Sequence, residues 1–204
     1  MKRTLEDHAA RFDEVAGEYD DSQNDTEEYR ACVSLVVEHA DPTADETVAD
    51  LGTGTGAIAL ALADDAGKVV GRDISEGMME RAREKADQQG IENVEFGEGR
   101  FRKPNVDSAD VVVSNFAMHH LSDAEKREAI EEIADLGPRK FVLGDVMFFG
   151  EPNPDEPFYS PEVDDPSTVG HLADAMTDAG LALTAVERVH EQVGVLVAER
   201  GELE

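Results

Sequence analysis

The sequence predicts an α/β fold: a doubly wound, mostly parallel seven-stranded sheet with a C-terminal antiparallel hairpin and an N-terminal helical cap. Three observations predict it. Apolar β runs alternate with helical patterns, which implies parallel strands joined by right-handed crossovers. The valines of Asp110–Ser114 are unbroken, as suits a strand buried on both faces. Two final β runs, Leu181–His190 and Gln192–Glu199, are separated by almost nothing, so they must pair as a hairpin.

Taken in order, residues 4–16 and 26–40 read as two helices, with Phe12, Val15 and Tyr19 along one side of the first. Residues 1–45 are expected to cap a single domain whose core spans 46–204. Val48–Leu51 is the first strand and 55–63 a helix. Val69–Asp73 is the second strand, and Met78, Ala82 and Ala86 recur at helical spacing after it. Val94–Phe96 is a short third strand. Ser122-Asp123-Ala124-Glu125 is a capping box for a helix burying Ala129, Ile130, Ile133 and Leu136. Lys140–Phe148 is strand five. Asp165-Pro166 reads as a carboxylate cap with proline at the first helical position, and Gly180 ends that helix. Five of the eight prolines fall between Pro152 and Pro166. That irregular stretch is either a surface linker or a substrate lid at the sheet's ligand-binding edge.

Acidic residues number 47 against 18 basic ones, for a net charge of −29, yet 40% of residues are apolar, enough for a core. The charge is dispersed rather than gathered in a tail. It fits a protein from a salt-rich cytoplasm, because at about 1 M salt a Debye length near 3 Å screens the self-repulsion. The same field argues against nucleic acid as a partner: only Arg100-Phe101-Arg102-Lys103 is locally basic, too short to bind a duplex. The single cysteine, Cys32, sits among Val33, Val36 and Val37 and reads as a buried hydrophobe. No stretch is apolar enough to span a bilayer and the first residues lack a signal core, so a cytoplasmic protein is expected.

The chemistry concentrates in Asp50-Leu51-Gly52-Thr53-Gly54-Thr55-Gly56. A strand enters it and a helix leaves it. The glycines allow a tight turn on which a flat ligand meets bare backbone. Gly52-x-Gly54-x-x-Ala57, with Asp73 about twenty residues on, also satisfies the relaxed dinucleotide fingerprint. Asp50 distinguishes the two readings. Its carboxylate would repel a pyrophosphate and attract a cationic nucleoside such as S-adenosylmethionine.

At these residues the chain resembles the class I S-adenosylmethionine-dependent methyltransferases, whose fold is Rossmann-like. Asp50–Gly56 is similar to their first motif, Val69–Ser75 to their second, and Asp110–Asn115 to their fourth strand. Phe12-Asp13-Glu14, Glu18-Tyr19-Asp20, His119-His120-Leu121 and Gly144–Phe148 resemble the YrrT-like group in particular. The likeness covers most of residues 8–150. It implies S-adenosyl-L-methionine as cofactor and a small-molecule methyl acceptor, and it makes Asp73 the acceptor of the ribose hydroxyls. Gly52, Thr53 and Gly54 then form the backbone cradle. Ile74 and Met78 pack on adenine or ribose, and Asn115 lies at a strand end by the ligand. Where the family carries a Gly-Asp pair for the adenine amine, this chain reads Gly99-Arg100-Phe101. Arginine has only donors, so Arg100 and Phe101 would line the site, with Glu98 the alternative acceptor. Arg30 is expected to bind the cofactor carboxylate and Tyr19 to close over the methyl donor.

The reaction expected is in-line attack on the methyl by a nucleophilic O, N or S, with alignment as the protein's main contribution. His120, or failing it His119, is the candidate general base, since an imidazole titrates near neutrality. No metal is expected, because no Cys/His cluster with ligand spacing accompanies them. Two other functions remain open. A nicotinamide-dependent oxidoreductase lacks a Tyr-x-x-x-Lys pair here, as Gln23, Val33 and Val163 follow the three tyrosines. A non-catalytic module would bind the cofactor alone.

Overall fold

The computed structural model describes residues 5–16, 26–151 and 158–201. In chain order the elements are α1 (Leu5–Val15), α2 (Glu27–Ala40), β1 (Thr47–Leu51), α3 (Ala57–Leu62), β2 (Lys68–Asp73), α4 (Glu76–Gln89), β3 (Val94–Glu98) and β4 (Val111–Asn115). A 3-10 turn, Met118–His120, leads to α5 (Asp123–Asp135) and β5 (Lys140–Phe148). The two-residue β6 (Ser167–Thr168), α6 (Val169–Asp178), β7 (Leu181–His190) and β8 (Val193–Arg200) complete the chain.

The sheet runs β3-β2-β1-β4-β5-β8-β7, with β6 paired to β5 off this path. Strands β3 to β5 are parallel, while β8 is antiparallel to both β5 and β7. The hairpin and the parallel run are therefore those expected. Alternation across the pleat divides the core in two. On one face Val48, Val69, Val111, Val113 and Val142 meet Cys32 and Val36 of α2, Ile58 and Leu62 of α3, and Met79 and Ala82 of α4. On the other, Ala49, Val112, Phe141 and Leu143 meet Ile130 and Ile133 of α5 and Leu172 and Met176 of α6. This explains the unbroken valines of β4: each faces a helical layer. Burial also pushes the Cys32 thiol up to about 12, which leaves it inert.

Two expectations are modified. The helix expected to start at Asp165-Pro166 begins instead at Val169, capped by Thr168, whose Oγ1 accepts from the His171 N–H at 3.1 Å. Tertiary partners claim the earlier residues. Asp165 N–H donates to the His119 carbonyl at 2.7 Å, Lys126 Nζ donates to the Asp165 carbonyl, and Ser167 and Thr168 pair with Met147 and Phe148. Helix α2, expected within the cap, lays Cys32, Val36 and Ala40 into the core, and its first turn carries Tyr29 to the cleft described below. The Ser122–Glu125 capping box forms as read.

Helix α1 lies over the carboxyl ends of the strands, where His8 and Phe12 pack on His120 and Asp13 bonds to α4. Asp13 Oδ1 accepts from Ser75 Oγ at 2.5 Å and from the Gly77 N–H at 3.0 Å, joining α1 to the start of α4. Ser75 in turn caps α4, accepting from the Met78 N–H at 3.1 Å.

Candidate active site

A cleft of about 670 Å³ opens where β1, β2, β3 and β4 end, the position at which doubly wound sheets take ligands. Its floor is the β1–α3 turn. Gly52 has φ +76° and Gly54 φ +52°. A Cβ at Gly52 would strike the Ala117 Cβ, so only glycine lets the turn sit against the β4–α5 connection. A Cβ at Gly54 would meet nothing within 4 Å. There the backbone is bare toward the cleft. The Gly52 and Thr53 N–H groups donate to the Arg72 carbonyl at 2.8 and 3.0 Å, which fixes the turn to β2.

The two acids flank this turn. Asp50 is 1% exposed. Its Oδ2 accepts from Thr53 Oγ1 at 2.7 Å. Desolvation, opposed by that bond and reinforced by the nearby Asp73 charge, raises its pKa from 3.8 to about 7. Asp73 accepts from Gly54 N–H at 2.8 Å on one oxygen and from Ser75 N–H at 2.9 Å on the other. With Ile74 also bonded to this carboxyl, it retains acceptor capacity for a ligand hydroxyl. Burial raises the Asp73 pKa as well, against those same backbone bonds. Two carboxyl groups held out of water beside a bare turn form a site that gains from a cationic, hydroxyl-bearing ligand.

At one end of the cleft Ile74, Met78, Glu98, Gly99, Arg100 and Phe101 line the walls. Both registers considered for the adenine side, Arg100-Phe101 and Glu98, therefore reach the cleft. Arg100 Nη2 lies 3.9 Å from Glu98 Oε1, and both side chains are at least half exposed. Arg72, which sequence reasoning missed, builds this wall. Its guanidinium pairs with Glu95 at 2.7 Å and donates to the Asn105 carbonyl at 3.2 Å.

The other end is lined by His8 and Phe12 of α1, Tyr29 of α2, and Asn115, Phe116 and His120. Asn115 is 9% exposed, and both of its amide atoms lack a partner. Buried amides without partners are costly. Phe116 holds φ +50°, a strained value for a bulky residue, and its ring lies 5.5 Å from that of Tyr29.

Each histidine is held by a carboxylate. His119 Nδ1 lies 2.5 Å from Asp145 Oδ1, and His120 Nδ1 lies 2.8 Å from Asp164 Oδ1. Burial opposes charge on His119, but Asp145 and Asp164 outweigh it and its pKa is raised. Burial and the His119 charge lower His120 to about 4. The Asp164 carboxyl, despite its burial, is held below its usual value by His120 and His119.

Of the residues singled out in the sequence, Asp50, Gly52, Thr53, Gly54, Asp73, Ile74, Met78, Arg100, Phe101, Asn115 and His120 meet in this one cleft. His119 stands behind His120, ring to ring at 4.1 Å. Arg30 is exposed on α2 and is not brought to the cleft lining. Tyr19 lies outside the described residues. His8 carried no motif and Phe12 only the Phe12-Asp13-Glu14 resemblance; both rings pack on that of His120, at 5.0 and 5.7 Å.

Such a fold and site define the class: a class I methyltransferase domain of the S-adenosylmethionine-dependent type. A family model described as "Methyltransferase domain" matches residues 48–137. An uncharacterized methyltransferase of Staphylococcus carnosus is 32% identical over 149 residues, covering 69% of this chain and 68% of that protein. The uncharacterized methyltransferase YcgJ of Bacillus subtilis is 34% identical over 129 residues, covering 61% of this chain and 50% of YcgJ. The crystal structure of YcgJ matches with a TM-score of 0.66 at 26% identity, over 76% of this chain and 70% of its own. A complex of DhpI with SAH shares the fold, with a TM-score of 0.75 at 20% identity over 98% of each chain. The chain belongs to the methyltransferase family these proteins represent. It spans half the length of YcgJ and 66% of its Exiguobacterium sibiricum relative.

Proposed function

We propose that this protein transfers a methyl group from S-adenosylmethionine to a small-molecule acceptor. One observation carries the reading. A bare glycine turn lies between two desolvated carboxyl groups, and one of them, Asp73, keeps acceptor capacity toward the cleft. Asp73 would hold the ribose hydroxyls, Asp50 the cationic methionine end, and Ile74, Met78 and Phe101 the purine faces. Bound there, the cofactor supplies a methyl group already activated by its sulfonium. The chain's own work is to align the acceptor and keep water out, and alignment alone is worth roughly 7–11 kcal/mol.

The acceptor end is aromatic, and its basic neighbours Arg72, Arg100, Arg102 and Lys103 belong to the β2–β4 side of the cleft. That favours an acceptor with an apolar face and no strong negative charge. Where its nucleophile carries a proton, His120 takes it. With Nδ1 committed to Asp164, Nε2 is the nitrogen that accepts. His120 suits the task better than His119, since it stays neutral above about pH 4. Asn115 would anchor the acceptor or the cofactor backbone.

The outer motifs favour a place near the YrrT-like proteins, and the charge of −29 favours a salt-rich cytoplasm. Among the described residues no helix is long and apolar enough to cross a membrane. Calorimetric titration with S-adenosylmethionine, its demethylated product and NAD tests the reading. The first two should bind one per chain and NAD should not; binding of NAD alone would overturn it. Turnover against a panel of phenols, amines and thiols then separates an enzyme from a non-catalytic binder.

A further inference from the structure

Adjacent histidines gave no metal-ligand spacing in the sequence, but the fold adds a third group from 44 residues away. Among the described residues, His119, His120 and Asp164 are a cluster whose ligating atoms all lie within 4.8 Å of one another. We propose that this cluster is a site for a divalent transition metal of the zinc type, set in the wall of the cleft behind His120.

The geometry supports an ion in three ways. First, the ligand atoms already stand near coordination spacing. Asp164 Oδ1 is 2.8 Å from His120 Nδ1 and 3.9 Å from His119 Nε2. Ligand atoms around a tetrahedral ion with bonds near 2.1 Å stand about 3.4 Å apart, between these two values. Second, His119 is already oriented as a metal-bound histidine is. Its Nδ1 lies 2.5 Å from Asp145 Oδ1, and its backbone N–H donates to the other oxygen of Asp145 at 3.0 Å. An outer carboxylate that fixes one ring nitrogen and presents the other is the usual support of a metal-ligating imidazole. Third, two buried carboxylates, Asp145 and Asp164, flank the one ring against a single buried cation, Lys126, so the carboxylates leave a net negative surrounding.

Two imidazoles and one carboxylate suit zinc, cobalt, iron or manganese(II) better than magnesium or calcium, which prefer oxygen alone. An ion here joins the Met118–His120 turn to the segment 158–168. That segment is otherwise docked by Asp165 N–H on the His119 carbonyl, by Lys126 on the Asp165 carbonyl and by Phe158 against Phe116. The ion would thus fix the acceptor end of the cleft. It and the proton on His120 Nδ1 are alternatives, so the base role of His120 belongs to the ion-free state. Ion binding is read without the cofactor, so its failure leaves the methyltransferase reading untouched, and the reverse holds as well.

The test uses full-length protein freed of metal by a chelator. Zinc titrated by calorimetry should bind one per chain, and cobalt(II) should give visible bands of mixed nitrogen and oxygen ligation that excess magnesium does not abolish. Asp164→Asn and His120→Ala should each weaken zinc by at least about tenfold. Asp145→Asn, which touches no ion, should weaken it by about 10–100-fold through the freed His119 ring. Exposed Glu162→Gln should change nothing. Circular dichroism checks that each variant folds. Ring-nitrogen NMR of the unaltered protein, in which zinc should shift His119 Nε2 and His120 Nδ1, gives the answer where one does not. Absence of stoichiometric binding, displacement by magnesium, unshifted ring nitrogens, or unaltered affinity in Asp164→Asn and His120→Ala would overturn the proposal.

Discussion

Asp50 is where burial and binding oppose each other. A carboxyl whose folded pKa is raised stabilises the fold only while protonated. Its contribution is whole below its ordinary 3.8 and gone once pH passes about 7. Asp50→Asn keeps an oxygen for the Thr53 hydroxyl without the charge. At pH 8 it should therefore raise the melting temperature of the ligand-free protein, by roughly 2–4 °C for each kcal/mol recovered. The same change should weaken S-adenosylmethionine. In the unaltered protein affinity should rise with pH up to about 7, since the proton must leave before a cation pairs there. The limiting slope is roughly tenfold per unit. A Kd flat from pH 5.5 to 8.5 would remove Asp50 from the cation's company. Asp73→Ala should cost about 1–3 kcal/mol of cofactor binding through lost charge-assisted bonds, and calorimetry reads it directly. The placement of these two acids beside the turn was legible in the sequence because a short turn leaves their side chains few directions. His120 was legible as a residue type only. Its partner Asp164 is 44 residues away, and no local pattern announces it.

At the scale of elements, the tie between α1 and α4 can be tested. Asp13 alone carries two of the bonds joining α1 to α4, from Ser75 and Gly77. Asp13→Ala should leave the thermal midpoint of the core nearly unchanged while amides of α1 exchange faster, and cofactor affinity should fall because His8 and Phe12 leave the cleft. Ser75→Ala removes a helix cap as well, so it should add about 1 kcal/mol of global destabilisation by chemical denaturation. Equal exchange rates in α1 would show that another contact holds it. The displaced start of α6 teaches a related point. Asp165-Pro166 has the local chemistry of a helix start, yet strand pairing at Ser167–Thr168 and the bonds of Asp165 decide otherwise. A local preference near 1 kcal/mol yields to several tertiary bonds.

For the molecule as a whole, a charge of −29 on 204 residues is self-repulsion that salt relieves. The melting temperature should climb from dilute buffer to molar potassium chloride, and circular dichroism unchanged across that range would count against a salt-adapted protein. The sequence by itself determined the fold: period-two runs, helix stripes and caps are local patterns, and burial of their apolar faces leaves one economical arrangement, the alternating β/α sheet. It also determined the glycine turn and its two acids, which lie within one β-α-β stretch. Only the tertiary structure decided which distant groups meet. Asp13 reaches Ser75, α2 joins the core, Arg72 props the 98–105 loop, and Asp145 and Asp164 close on the two histidines. Those contacts join segments tens of residues apart, and their energies depend on burial and orientation, which no spacing along the chain encodes.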